Sequence, residues 1–140
     1  FKLIYRGHTN THEAHKDGGS ERFIDVTRYP NITDLYLAAD VLITDYSSVM
    51  FDYTVTGKPI LFLAPDIERY RAERGFYFDF EDTAPGPILN TENEVLQALG
   101  RIDQVSKLYE KRYRAWQKKF NGLEDGGSAA RVVDLVWGAK

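Results

Sequence analysis

The sequence contains no cysteine, which excludes a disulfide framework and any cysteine-ligated metal. No apolar run approaches the roughly 20 residues that a membrane-spanning helix needs. There is no excess of positive charge: 18 Lys and Arg stand against 21 Asp and Glu, a formal net charge of −3, so bulk electrostatics give no case for a nucleic-acid partner. Internal repeats, low-complexity segments and a Gly-x-Ser-x-Gly nucleophile elbow are also missing, and with the last goes the Ser-His-Asp reading. What is present is ordinary globular composition, 43% hydrophobic and 28% charged over 140 residues, enough for one domain with a sizeable core. The chain opens at Phe1 already inside a strand-like segment, without Met or signal peptide. The expectation is a piece of a longer protein.

The chain turns on residues 40–52, Asp-Val-Leu-Ile-Thr-Asp-Tyr-Ser-Ser-Val-Met-Phe-Asp. Val41, Leu42 and Ile43 form a continuous apolar run, the mark of a strand buried in a parallel sheet. Asp45-Tyr46 reads as a tight turn, and a helix opens at Ser47-Ser48. A helix that starts directly after such a strand aims its unpaired N–H groups at the carboxyl edge of the sheet, where anions bind. The two serines add hydroxyl donors there. Asp45, Ser47 or Ser48 as plain N-caps is the competing reading.

Along the rest of the chain, Phe1–Tyr5 predicts a first strand ending at Arg6-Gly7-His8. Residues 9–21 form a polar loop with His12, His15 and a Gly18-Gly19 break. Phe23–Val26 predicts a second strand, and Asn31 or Thr33 caps a short helix through Ala38. Gly57 closes the central helix, which has no clean amphipathic stripe and so reads as largely buried. Ile60–Leu63 is another fully buried strand, followed by one or two helical turns over residues 66–73. Residues 76–80 alternate weakly, as a strand or an extended segment, and 81–87 reads as a rigid loop. Thr91 with Glu94 forms a capping box for a helix to Leu99. Residues 103–120 are long, charged and helical, and Ser128–Trp137 is a last helix. The basic, aromatic stretch 107–119 reads as a solvated outer face, since Asp103 and Glu110 interrupt it. Alternating strands and helices give an α/β class, a Rossmann-like parallel sheet with flanking helices, with about four strands visible.

Three strand ends carry polar chemistry: Arg6-Gly7-His8, Asp45 to Ser48, and Pro65-Asp66. In one parallel sheet these ends share an edge. A guanidinium, an imidazole, two hydroxyls and helix N–H groups make a phosphate or pyrophosphate site, and Gly7 lets backbone approach a ligand closely. Arg69, Arg71 and Arg74 either add charge or, for at least two of them, form surface salt bridges. His8, His12 and His15 have helical spacing, but Thr9-Asn10-Thr11 and Gly18-Gly19 argue for a loop without a carboxylate ligand, so no metal site is expected.

The central stretch, followed by Lys58-Pro-Ile-Leu-Phe62, Tyr70, Arg74-Gly75-Phe76-Tyr77 and Pro85-Gly86, with Arg6-Gly7-His8 upstream, resembles the CDP-glycerol glycerophosphotransferase family. Its members prime and polymerise wall teichoic acid. The resemblance runs from Phe1 to Leu99 with its motifs in order. It implies one half of a GT-B architecture, with residues 1–140 as the C-terminal donor-nucleotide-binding domain and 101–140 as its closing helices. It implies that Arg6 and His8 contact the pyrophosphate, that Ser47 and Ser48 hold phosphate, and that Asp52 lies near bound CDP-glycerol. A carboxylate there should meet a ribose or glycerol hydroxyl, because facing phosphate is repulsive; an ion pair with an arginine is the alternative. His8, if protonated, would act catalytically by neutralising charge on the leaving phosphate. The implied acceptor is a teichoic acid or lipid-linked hydroxyl, reached through an N-terminal domain that also holds the catalytic base. No cofactor is implied, and the location is cytoplasmic, with the parent enzyme peripheral at the inner face of the membrane. On that basis the chain alone binds donor weakly and turns over nothing measurable. A nucleotide-sugar glycosyltransferase of GT-B type and a non-enzymatic interaction module remain as alternatives.

Overall fold

The structure, a computed structural model, describes residues 1–8 and 21–138. His12, His15 and the Gly18-Gly19 break lie outside the described residues. The chain divides into two compact units, Phe1–Ala39 and Asp40–Lys140. Both are built from parallel strands and helices.

In the first unit, β1 (Leu3–Tyr5) pairs in parallel with β2 (Phe23–Asp25), Leu3 opposite Phe23 and Tyr5 opposite Asp25. The rings of Tyr5 and Phe23 stack with centroids 5.8 Å apart, a diagonal contact that pins the register. Helix α1 (Ile32–Ala38) begins where the Asn31 side chain accepts a hydrogen bond from the Thr33 N–H. That satisfies one of the amides a helix start leaves open.

The second unit holds a three-stranded parallel sheet in the order β3 (Leu42–Thr44), β4 (Ile60–Leu63), β5 (Ile88–Leu89). Its central strand is the most buried: Ile60, Leu61 and Phe62 are at most 1% exposed, each contributing roughly 1.5–3 kcal/mol by burial. Successive side chains of a strand point to opposite faces. Leu61 accordingly meets Val95 and Ala98 of α5 (Glu92–Leu99), with Ile102 and Val105 of α6 (Ile102–Phe120) alongside, whereas Phe62 meets Phe80 edge to face at 5.1 Å. On α6, Ile102, Val105, Tyr109, Tyr113, Trp116 and Phe120 recur at helical spacing and are shielded, while Lys107, Lys111, Arg114 and Lys118 are exposed. The basic stretch is a solvated face, as its interrupted charge pattern predicts.

Helix α2 (Val49–Tyr53) is five residues long and tightens into a 3-10 turn over Thr54–Thr56. Gly57 ends it with φ +74°, a left-handed conformation that glycine adopts without steric cost. Helix α3 (Ile67–Glu73) follows β4. Residues 76–80 form no strand: the segment is irregular until α4 (Phe80–Thr83), capped by Asp79 accepting from the Asp82 N–H. The expected rigid loop at 81–87 therefore contains most of a helix, and a fifth strand, β5, follows it. Gly86 sits where a Cβ would come within 2.0 Å of the Ile60 carbonyl oxygen, so only glycine lets this segment close onto β4. The capping box is present, with Thr91 accepting from the Glu94 N–H and the Glu94 carboxylate accepting from the Thr91 N–H. The final helix, α7 (Ser128–Trp137), buries no residue and is tied at its start by Arg131 to Asp125 at 2.7 Å. Among the described residues no helix is long and apolar enough to cross a membrane.

Candidate functional site

The turn after β3 is organised by Asp45. Its Oδ1 accepts the Ser47 N–H at 2.8 Å, the local bond that makes aspartate a turn former. The chain then enters α2 through Met50 N–H to Ser47 C=O and Phe51 N–H to Ser48 C=O. Ser48 occupies the N-cap position but makes no side-chain cap bond. Among the described residues neither serine hydroxyl has a hydrogen-bond partner, so the capping reading of the pair fails and both donors remain available. Ser48 is exposed and Ser47 half-buried. Because α2 is so short, its dipole adds little, and attraction for an anion at this turn must come from hydroxyl and amide hydrogen bonds.

Asp52 follows Ser48 by four residues, on the same face of α2. It is exposed, and no ion pair engages it among the described residues. The other side of α2 is buried through Met50 and Tyr53, so helix packing fixes where Ser48 and Asp52 project.

That packing rests on a polar network under α6. Thr54, fully buried, places Oγ1 2.9 Å from the Phe51 carbonyl and 2.8 Å from Asn121 Oδ1. Asn121 Nδ2 donates to the Phe51 carbonyl at 2.9 Å, and Gln117 Nε2 donates to the Thr54 carbonyl at 2.7 Å. The Tyr113 hydroxyl donates to the Lys58 carbonyl at 2.7 Å. The carbonyls at the end of α2, which a helix end leaves open, thus find donors on α6. Burial pushes the Tyr53 hydroxyl up to about 12 and raises Tyr113 further, so both stay protonated at neutral pH.

The end of β4 meets the end of β3. Tyr46 donates its hydroxyl to the Asp66 carboxylate, 3.3 Å from each oxygen, and its ring lies 3.9 Å from that of Tyr70. Asp66 also pairs with Arg69 at 3.2 Å, and Arg71 pairs with Glu68 and Glu81. Two of the three loop arginines are therefore committed to carboxylates, as expected, while Arg74 has no ion-pair partner among the described residues. Of the three strand ends, the structure brings these two together along one sheet edge. The third, after β1, belongs to the other sheet and the other unit.

In that first unit, Arg6 donates to the Tyr29 carbonyl at 2.7 Å, which orients its guanidinium, and the Gly7 N–H donates to Thr27 Oγ1 at 3.0 Å. Arg6 and His8 are exposed, and Gly7 is half-buried. Thr27 takes no part in the sequence reading, and Tyr46 enters it only as a turn residue. The Asp45 turn carries a local signal, but Thr27 and Asp66 are long-range partners that no short motif announces.

The fold defines a Rossmann-like α/β protein with a hydroxyl-bearing turn at the carboxyl edge of a parallel sheet. Residues 1–138 match the family described as CDP-Glycerol:Poly(glycerophosphate) glycerophosphotransferase, and the chain belongs to that family. It is 41% identical over 142 residues to a teichoic acid poly(glycerol phosphate) polymerase of Bacillus subtilis (strain 168), covering 100% of this chain and 19% of the relative. It is also 41% identical over 114 residues to a teichoic acid glycerol-phosphate transferase of Staphylococcus aureus (strain NCTC 8325 / PS 47), covering 81% and 29%. A structure of a variant of the wall teichoic acid polymerase TagF, after a 30 minute soak with CDPG, superposes with TM-score 0.86 at 34% identity, over 96% of this chain and 34% of that one. The chain thus spans between a fifth and a third of the length of these relatives.

Proposed function

We propose that this chain is the donor-binding domain, residues 1–140, of a CDP-glycerol glycerophosphotransferase with one half of a GT-B architecture. The observation that carries the proposal is the pair of uncommitted hydroxyls on Ser47 and Ser48, held in place by Asp45 at the carboxyl edge of β3. A phosphate oxygen at this turn accepts from both hydroxyls in charge-assisted bonds, roughly twice as strong as neutral ones. Asp52, exposed and without a basic partner among the described residues, suits a polyol or ribose hydroxyl beside that phosphate. Arg6, oriented by Tyr29, and His8 supply cationic donors for the pyrophosphate, and Gly7 admits backbone close to it.

In the reaction, an acceptor hydroxyl of a teichoic acid or lipid-linked chain attacks the phosphorus that carries glycerol. The new phosphorus–oxygen bond forms as the bond to the bridging oxygen breaks, and CMP leaves with that oxygen. His8 and Arg6 donate to the leaving phosphate and stabilise the charge growing on it. The acceptor's proton goes to a base on the remainder of the longer enzyme, which works at the inner face of the membrane. This chain by itself binds donor and does not turn it over.

The test is an NMR titration of the chain with CDP-glycerol, CDP, CMP and UDP-N-acetylglucosamine. The expected result is that the cytidine diphosphates shift amides at Arg6–His8 and Ser47–Asp52. A preference for the UDP-sugar would move the assignment to a glycosyltransferase, and shifts confined to other surfaces would refute the site.

A further inference from the structure

The strongest unassigned feature is the column of side chains beside the serine turn. Tyr46 immediately precedes Ser47 and is half-buried, with its ring against Tyr70 at 3.9 Å and its edge toward Phe76 at 5.9 Å. Phe76 in turn stands 5.3 Å from Tyr70, because Gly75, at φ +73°, reverses the chain after α3. The Tyr46 hydroxyl is shared between both oxygens of Asp66 at 3.3 Å, and Arg69 fixes the same carboxylate at 3.2 Å. Burial, and then the Asp66 charge, raise the Tyr46 phenol above its usual range, so it remains a donor wherever the protein is folded at neutral pH.

The serine turn is therefore held from two sides. Inside, Asp45 fixes the Ser47 amide. Outside, Tyr46 fastens the adjacent residue to the β4–α3 connection. A turn between a three-residue strand and a five-residue helix has little regular hydrogen bonding of its own, and an anion site loses affinity when its donors must be ordered on binding.

We propose that Tyr46, latched to Asp66 and packed against Tyr70, is a positioning residue that pre-orders the Ser47–Ser48 turn for phosphate; this rests on the donor-binding reading above. It touches no donor atom in this role and acts through its neighbour.

The test combines hydrogen exchange with donor titration on Tyr46→Leu and Tyr46→Phe. Losing both the phenolic bond and the ring contact should speed exchange about tenfold at the hydrogen-bonded amides of the turn, Ser47, Met50 and Phe51. Amides of Ile60–Leu63 should be unchanged. Tyr46→Phe, which keeps the ring contact, should recover most of the protection, and CDP-glycerol affinity should fall in the same order. A folded Tyr46→Leu protein with unchanged exchange at Ser47, Met50 and Phe51 would overturn the proposal. If wild-type chain fails to respond to CDP-glycerol, the donor reading falls while exchange still decides whether the latch orders the turn.

Discussion

Thr54→Val removes one hydroxyl while keeping the shape of the side chain. Thr54 is 0% exposed and Asn121 half-buried, so water has restricted access to the place of the lost donor. In the variant the Phe51 carbonyl keeps its bond from Asn121 Nδ2, but Asn121 Oδ1 loses its donor at 2.8 Å. An unsatisfied buried acceptor costs about 1–3 kcal/mol. Burying a methyl in place of the hydroxyl offsets part of this, so the net expectation is destabilisation by about 1–2 kcal/mol. Urea unfolding followed by Trp116 fluorescence measures it locally, since Trp116 is 2% exposed and stacked on Phe51 at 5.2 Å. With a urea slope of about 1–3 kcal/mol/M, the midpoint should drop by roughly 0.3–2 M. Combined with Asn121→Ala in a double-mutant cycle, the two substitutions should be strongly non-additive. A Thr54→Val protein as stable as wild type, or additive effects, would refute the claim that this network anchors the end of α2.

Three further outcomes are expected. Gly86→Ala drives a Cβ to within 2.0 Å of the Ile60 carbonyl oxygen and should destabilise the second unit by more than about 2 kcal/mol, seen as a lowered urea midpoint; a neutral substitution would contradict the close approach. Backbone N–H groups of Asn90 and then Thr91 hold the Glu94 carboxyl below its usual 4.5. Its contribution is therefore present above about pH 4.5 and lost as pH falls through the lowered folded value. The urea-midpoint difference between wild type and Glu94→Gln should thus be seen at pH 7 and vanish at low pH. Tyr53, pushed from 10.0 up to about 12 by burial and then the Asp40 charge, stabilises the fold fully below pH 10. That contribution drains away between pH 10 and about 12, a loss that alkaline unfolding of Tyr53→Phe should not share.

What was legible in the sequence is what local physics dictates. Val41–Ile43 and Ile60–Leu63 announced parallel strands by unbroken apolar runs, although only the second is buried and the first is half-buried; Gly57 announced its left-handed stop, and Thr91 with Glu94 a capping box. Strand β5 was not legible, because two residues after Pro87 are too short to carry any period. Residues 76–80 alternate like a strand, yet their rings feed an aromatic cluster in which Phe78 meets Trp116 and Phe80 meets Phe62. Tertiary packing overrode the pattern there. At the site, the serines were visible but the division of labour was not: Asp45 holds the turn that Ser48 was equally suited to cap. Tyr29, Thr27 and Asp66, which orient Arg6, Gly7 and Tyr46, lie 20 or more residues away from them, and no spacing rule links such pairs.

The central claim is that the Ser47–Ser48 hydroxyls recognise a donor phosphate, and the most direct test is CDP-glycerol affinity of wild type, Ser48→Ala and Ser48→Thr. Because no contact among the described residues uses the Ser48 hydroxyl, Ser48→Ala should keep its unfolding midpoint. It should lose about 10-fold or more in affinity, as a charge-assisted bond of roughly 1.5–3 kcal/mol implies, and Ser48→Thr should restore most of it. Equal affinities across the three proteins would contradict the account.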